Sequence, residues 1–286
     1  MLHVRGKKII GVAAVFILGS ALSAFGIEFH LKLFGGLNYS SFNEINLALA
    51  AWKMQHEKEA QVTHGYKFEG GDVKKFHSGF DFETELLVSL SRRVALGIGT
   101  GYIYNELLDQ KTALTIKKNV TTYVYVHPTT VSAFPLSLSG YYFLPLGNKF
   151  SLYFRSSVGL LWAKYVDRDG VRRIQDAKYS YSSQLATAKG TCFQGGLGFK
   201  YQLEAFISFF LEASAKAAKI GNFMGDLGKE KGTLYFYEEY VPKTKFWEAK
   251  IRLMTKEPTG LFYRSVRKAS VDFSGVSAKI GLLIKF

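Results

Sequence analysis

The chain has 286 residues, 15 % of them aromatic, with 28 Gly, 5 Pro, one Cys and a formal charge of +14. The lone Cys192 excludes an intramolecular disulfide framework, and the length fits one β-rich domain. Abundant aromatics and Gly with scarce Pro suit long paired strands.

Residues 1–26 read as a secretory signal peptide. Arg5, Lys7 and Lys8 precede an apolar run from Ile9 to Leu22, and small residues close it. Ala24-Phe25-Gly26 fits an A-x-A-like cleavage pattern, with Ala21-Leu22-Ser23 as a second candidate. The apolar run of 14 residues is short of the ~18–20 that span a bilayer. No Cys lies near the cleavage region, which argues against a lipid-anchored lipoprotein. Loss of the three basic signal residues lowers the formal charge to +11. In an exported protein that excess suits anionic lipid or lipopolysaccharide head groups rather than nucleic acid. After Gly26 no apolar run is long enough for a membrane helix, so the product is either soluble or spans as a barrel.

Residues 27–286 show eight runs of period-two alternation, the signature of strands with one apolar face. The first sets Ile27, Phe29, Leu31, Leu33, Leu37 and Tyr39 against Glu28, His30, Lys32, Phe34 and Asn38. The second sets Phe80, Phe82, Leu86 and Val88 against Asp81, Glu83 and Glu85. The third opposes Leu96, Ile98 and Tyr102 to Gly97, Gly99 and Gly101. The fourth has Leu136, Leu138 and Tyr142 on one face, and Ser137, Ser139 and Tyr141 on the other. The fifth turns Leu152, Phe154, Val158, Leu160 and Trp162 outward, with Tyr153, Arg155 and Ser157 inward. The sixth runs from Phe193 to Tyr201 with Lys200 on its polar face, and the seventh from Ile207 to Lys216 with Glu212 and Lys216 on its polar face. The last runs from Val276 to Phe286 with Lys279 on its polar face.

Short turns follow the second, fourth and sixth runs, at Ser91–Arg93, Pro145–Lys149 and Gln202–Ala205. Long connections follow the others, over Ser40–His77, Asn105–Pro135, Ala163–Thr191 and Ile220–Ser270. Short turns at one end and long loops at the other are the outer-membrane pattern. It predicts an all-β, eight-stranded antiparallel up-and-down transmembrane β-barrel with long extracellular loops. Alternation alone also fits a soluble lipocalin-like or sandwich protein with charge outside. The signal peptide, the loop asymmetry and the terminal Phe286 favour the membrane.

Within the first loop, Ser41-x-x-Glu44 reads as a capping box opening an amphipathic helix over Phe42–Ala60. Thr112–Ile116 and Val120–Val126 read as upward extensions of the third and fourth strands, and Leu234–Tyr240 with Phe246–Arg252 as a hairpin. Pro135 would remove a ladder bond inside a strand and is expected at or above the outer rim.

The last strand, ending in Phe286 with Ile280, Leu282 and Ile284 at alternate positions before it, resembles the signal by which the barrel-assembly machinery recognises outer-membrane barrels. With Gly35-Gly36-Leu37-Asn38-Tyr39 and Val271-Asp272-Phe273-Ser274-Gly275, residues 27–286 are similar to the outer-membrane β-barrel families near the small OmpA/OmpX-type barrels. The resemblance implies fold and cell outer-membrane location, with no catalytic residues to carry over.

No metal-ligand spacing, nucleophile elbow or phosphate loop occurs, and Gly97-Ile98-Gly99-Thr100-Gly101 is followed by no helix. His30 is on the inner face near the periplasmic end of the first strand, and His64, His77 and His127 lie in or beside long loops; no His on an outward membrane face has a Ser and an acidic residue at comparable depth. The expectation is a non-enzymatic structural or surface-binding protein without metal or cofactor. The alternatives are a lipid-modifying enzyme and a small-solute pore, the latter disfavoured because an open channel needs ~16 strands. Two groups of residues are singled out. Glu83, Glu85, Arg155, Lys200, Glu212, Lys216 and Lys279 should pair across a filled lumen, since unpaired charge there is costly. Arg168, Arg172 and Arg173 in the third loop should contact lipid head groups, helped by ten Lys or Arg against six Asp or Glu over 220–270.

Overall fold

The computed structural model describes residues 28–175 and 179–286; the expected signal peptide lies outside the described residues. In chain order the strands begin β1 (Glu28–Ser40), β2 (Tyr66–Gly71), β3 (Ser78–Ser89), β4 (Val94–Leu107), β5 (Leu114–Lys118), β6 (Thr121–Val126), β7 (Thr129–Pro145), β8 (Phe150–Arg173) and β9 (Tyr179–Gln202). They continue β10 (Ile207–Ala217), β11 (Lys219–Ile220), β12 (Met224–Leu227), β13 (Glu230–Val241), β14 (Phe246–Met254), β15 (Tyr263–Lys268), β16 (Val271–Asp272) and β17 (Gly275–Lys285). One α-helix, α1 (Asn43–Val62), follows β1.

The described residues thus form seventeen strands, not eight. Eight of them close a ring in the order β1, β3, β4, β7, β8, β9, β10, β17, every neighbour antiparallel. β17 completes it against β1, with Leu31 opposite Ile284 and Tyr39 opposite Val276. These are the eight alternating runs of the sequence. The other strands lie in the long connections, all at one end of the ring. At the opposite end the turns are tight, closed by Leu90 N–H to Val94 O, Leu146 N–H to Phe150 O and Leu203 N–H to Ile207 O, each 2.9–3.0 Å.

Because strand side chains alternate between faces, the register decides what the ring holds and what it shows. Leu33, Leu37, Phe80, Phe82, Leu96, Ile98, Leu138, Phe154, Leu160, Phe199, Leu211 and Ile280 are exposed on its outer face. The interior has three tiers. Leu87, Ala95, Phe143, Phe210 and Leu283 pack near the short-turn end. Charged side chains fill the middle. A large apolar cluster fills the far end, where Ile103, Val131, Leu161 and Cys192 of the ring meet Phe42, Ile45 and Leu49 of the α1 region and Leu234, Phe236, Ile251 and Phe273 of the last connection. A cap therefore seats directly in the mouth of the ring.

Several local expectations change. The Ser41–Glu44 capping box does not form. Phe42 occupies the N-cap in a left-handed conformation (φ 42°) without a side-chain cap. Glu44 instead accepts from Ser270 N–H at 2.8 Å and from Arg267 at 2.9 Å, so it ties α1 to the last connection. β5 and β6 are not continuations of the neighbouring ring strands. They form a separate hairpin joined to β2 on one side and β8 on the other. The third long connection is mostly strand, because β8 and β9 stay paired as far as Arg172 opposite Tyr179. Pro135 lies inside β7 opposite Leu161, where the ladder to β4 skips Gly101 and Tyr102. The ladder gives way at the missing N–H, rather than Pro135 moving to the rim. The hairpin around Pro242–Thr244 is present as β13 and β14.

Phe273 is fully buried and meets Phe42 edge-on with ring centroids 5.8 Å apart. Phe273→Ala should cost the cap about 3–5 kcal/mol. Limited proteolysis should then cut within 218–274 while the heat-dependent gel shift of the ring is retained. A cap as resistant as wild type would contradict its seating on the ring.

Candidate functional site

The middle tier of the ring is an ion-pair network drawn from six strands. Arg155 on β8 projects from a strand whose next inward neighbours are Tyr153 and Ser157, and its side chain crosses the lumen. Its guanidinium reaches Glu83 at 2.7 Å and Glu85 at 2.5 Å on β3, and Glu212 at 3.1 Å on β10. Lys32 of β1 lies 2.7 Å from Glu212 and 3.2 Å from the Tyr141 hydroxyl. Lys279 of β17 meets Asp81 at 3.1 Å and also contacts Glu83. Lys216 is 3.5 Å from Asp81. Hydroxyls add donors to Glu85 and Glu212, while Asp81 Oδ1 and Arg155 Nε are buried without a hydrogen-bond partner among the described residues. Ser139 donates to Glu85 at 2.7 Å, Tyr153 to Glu212 at 3.0 Å, and Tyr141 to Glu85. Four carboxylates (Asp81, Glu83, Glu85, Glu212) thus face four cations (Lys32, Arg155, Lys216, Lys279), and most of the eight are almost wholly buried.

Small residues make room for this. A Cβ on Gly99 would collide with the Glu85 side chain, and one on Gly198 with the Tyr153 ring. Aromatic faces line the cations: the Lys32 ammonium lies 4.3 Å from the centroids of both Phe34 and Phe210. The gap below the network, lined by Lys32, Leu87, Tyr141, Phe143 and Leu283, holds only about 10 Å³. That is room for about one water.

Of the residues singled out for the lumen, Glu83, Glu85, Arg155, Glu212, Lys216 and Lys279 come together. Lys200 does not. It is half-buried nearer the short turns, 5.6 Å from the Phe143 ring centroid. Asp81, Lys32, Tyr141 and Tyr153 belong to the network but were not singled out, although each has the inward parity of its strand. Arg168, Arg172 and Arg173 do not form one cluster. Strand structure persists through them, so Arg168 and Arg172 are exposed on the side of Leu160 while Arg173 faces the other way. Ile280 and Leu282 are exposed on the outer face, Ile284 is partly covered, and Phe286 donates its N–H to Phe29 O at 2.9 Å.

A second polar centre, in the cap, joins residues 40 positions apart. His127 precedes β7, and Asp167 lies on the far part of β8. His127 Nε2 is 2.9 Å from Asp167, which also accepts from Thr129 at 3.1 Å and Gln184 at 2.9 Å. Gln184 goes on to pin β14 through Ile251 O and Leu253 N–H, both at 2.8 Å. Burial would strip the proton from His127, but the Asp167 charge and hydrogen bond outweigh it and hold the pKa above the ordinary 6.5. Burial disfavours the Asp167 carboxylate, and His127 outweighs that in turn, keeping it below the ordinary 3.8. The Thr129 hydroxyl serves the carboxylate rather than the imidazole. His77 Nδ1 donates to Ser40 O at 3.0 Å, and the ring stacks on Tyr39. Neither imidazole ring therefore has a serine or threonine hydroxyl bonded to it, although the His127 backbone N–H donates to the Thr112 hydroxyl at 3.0 Å. Among the described residues, the ring that does meet a hydroxyl is that of His30, with Nε2 3.0 Å from Ser89 Oγ. Among the described residues no three His, Cys, Asp or Glu side chains group as metal ligands.

No family model matches the chain, and no curated protein matches it. Among solved structures it is weakly similar to the TodX deltaS2S3 mutant monoaromatic hydrocarbon channel. The identity is 9 %, over 91 % of this chain and 89 % of that chain, with a TM-score of 0.13, a level at which neither fold nor function carries across.

Removing Arg155 leaves three carboxylates without their shared cation, so Arg155→Ala should lose about 3–5 kcal/mol in unfolding experiments. Adding Glu212→Gln should restore part of that loss, because one stranded charge goes with it. Unchanged stability in the single variant would refute the network. The His127–Asp167 pair gives a pH test. A raised histidine pKa means its contribution is complete below 6.5 and disappears as pH rises through the folded value. Asp167 contributes above 3.8 and loses its contribution as pH falls through its lowered value. Melting of the cap should therefore weaken on going from about pH 5 to about pH 9, and Asp167→Asn should flatten that profile.

Proposed function

We propose that the protein is an integral outer-membrane β-barrel with a non-enzymatic role, in which a filled, non-conducting ring anchors a folded cap for envelope structure or surface binding. One observation carries this reading: the ring turns its large apolar side chains outward and its charges inward. A soluble barrel reverses that arrangement, because water must cover its outside. A lipid bilayer demands it, and a closed ring leaves no unpaired strand edge in hydrocarbon. The outer band suits a lipid face about 25 Å tall, with aromatic residues toward its two ends. Tyr142, Phe150 and Phe206 stand exposed near the short turns, and Tyr39, Phe134 and Phe193 toward the cap. In strand number the ring is near the small OmpA/OmpX-type barrels, and the short-turn end would be periplasmic.

The lumen supports anchorage rather than transport. Ion pairs occupy its middle and apolar clusters its two ends, so no continuous water path is left for a small-solute pore. A lipid-modifying enzyme would need a hydroxyl activated by a base at the outer leaflet. The rings of His127 and His77 bond no hydroxyl, and the one ring that does among the described residues, His30 with Ser89 at 3.0 Å, lies at the short-turn end. Arg168, exposed just beyond the apolar band, suits a phosphate-bearing lipid head group or lipopolysaccharide. Arg172 lies further along the strand, beyond reach of the acyl region. The segment carrying Ile280, Leu282, Ile284 and Phe286 is the part the barrel-assembly machinery would recognise.

Two measurements test this reading. The protein should fractionate with outer membranes and run faster on gels before heating than after, and Phe286→Ala should lower the assembled fraction. Recovery in the soluble periplasm would refute the assignment. In planar bilayers it should give no steady conductance, and a porin-sized current would overturn the filled lumen.

A further inference from the structure

The cap holds a cavity of about 210 Å³ between α1, β8 and β14, apart from the ion-pair network of the ring. Its wall alternates hydrogen-bond donors with acceptors. His56 Nδ1 lies 2.9 Å from Trp52 O. A carbonyl only accepts, so that nitrogen carries the proton. Burial pushes the His56 pKa down, and the neutral ring keeps a lone pair on Nε2. His127 is fixed the opposite way. Its Nε2 is committed to Asp167, and its Nδ1 is buried with no hydrogen-bond partner among the described residues. Trp52 Nε1, on a side chain only 5 % exposed, is buried without a partner as well. Asp169 completes the wall, with Oδ1 4.0 Å from His127 Nδ1 and Oδ2 3.6 Å from the Arg252 guanidinium.

Orphaned buried donors are rare, because each costs about 1–3 kcal/mol unless something accepts from it. Here two of them belong to residues that line one polar cavity, beside a carboxylate and a bare imidazole nitrogen. A hydroxyl is the group that accepts and donates through one atom. The 4.0 Å separation of His127 Nδ1 and Asp169 Oδ1 is one that a single oxygen about 2.8 Å from each can bridge. Charge around the cavity is balanced: His127, Lys250 and Arg252 stand against Asp167, Asp169 and Glu248. That disfavours a strongly anionic or cationic occupant. The volume is below the ~300 Å³ at which drug-sized sites begin, so one ring-sized polyol is what it admits.

We propose that this cavity is a binding site for a single neutral sugar unit, whose neighbouring hydroxyls bridge His127, Asp169 and Arg252. The site rests on the geometry of the cap and not on the membrane reading, so membrane fractionation and sugar binding fail independently.

The test uses the full-length protein purified in an amine-oxide detergent, which carries no sugar head group. Saturation-transfer NMR is recorded with glucose, galactose, mannose and N-acetylglucosamine as probes. At least one should show saturable transfer, with a Kd on the order of millimolar. Asp169→Asn should weaken it at least tenfold, and Lys231→Gln, at an exposed pair with Asp226 elsewhere in the cap, should leave it unchanged. Should Asp169→Asn prove misfolded, His56→Phe replaces the acceptor nitrogen and should give the same loss. No saturable transfer from any of the four probes, the result expected if the cavity takes only water, overturns the proposal. Equal binding by wild type and a folded Asp169→Asn or His56→Phe does so too.

Discussion

Eight charged side chains buried inside a narrow ring are the constraint on which the rest of this structure depends. Taking an ion out of water costs several kcal/mol even after relaxation, so such a lumen is stable only when each charge meets its opposite and most hydrogen-bonding atoms find a partner. Arg155 meets this demand as lysine could not. Its planar fork reaches carboxylates on two strands, Glu83 and Glu85 on one and Glu212 on the other. Tyr141, Tyr153 and Ser139 supply further donors to Glu85 and Glu212. The network needs a ring small enough to be spanned by one side chain, which eight strands provide. It also needs inward positions small enough to leave space, which Gly99 and Gly198 provide.

The same alternation that sends these charges inward sends Leu, Ile and Phe outward, so the lumen and the outer face are two consequences of one register. A one-residue slip of any ring strand would bury its apolar set against the ions and expose its charges, an error that both faces penalise. The apolar cluster at the capped end adds a second lock. α1 and the 218–274 segment bury their own apolar faces against Ile103, Val131 and Leu161, and Gln184 and Glu44 stitch the parts together. What remains accessible for recognition is therefore the cap itself, whose His127–Asp167 pair and neighbouring cavity are built by residues from α1, β8, β14 and the turn before β7.

The ring was legible in the sequence because its signal is local and repeated. Eight runs of period two, separated by short and long connections in turn, define eight antiparallel strands, and parity alone places Glu83, Arg155, Glu212 and Lys279 on one face. The cap was much less legible. Its strands are short, and their partners are distant: β5 joins β2, and β13 joins both β12 and β15. Ser41 and Glu44 have the spacing of a capping box, yet Glu44 does more by reaching Ser270 and Arg267, more than two hundred positions away. Arg168, Arg172 and Arg173 looked like one loop cluster, and continued strand pairing divides them between two faces. The pairing of His127 with Asp167 depends on β8 extending well past the apolar band, for which the sequence carries weak alternation in a polar stretch. Lys200 shows the limit of parity. It shares a face with the network, but its depth along the strand takes it elsewhere.

The central claim is that the outer face of the ring meets lipid while its inner face meets neither lipid nor bulk water. A nitroxide scan along β9 tests this most directly. Cys192 is first replaced by Ser, single cysteines are placed at Phe193, Gln194, Gly195, Leu197 and Phe199, and the labelled protein is reconstituted in lipid vesicles. Collision rates with oxygen, which concentrates in hydrocarbon, and with a water-soluble nickel chelate are then compared. The account predicts high oxygen and low nickel accessibility at Phe193, Gly195, Leu197 and Phe199, and low accessibility to both at Gln194. Nickel accessibility at the first set would place that face in water, and nickel accessibility at Gln194 would mean an open, hydrated lumen; either result would contradict it.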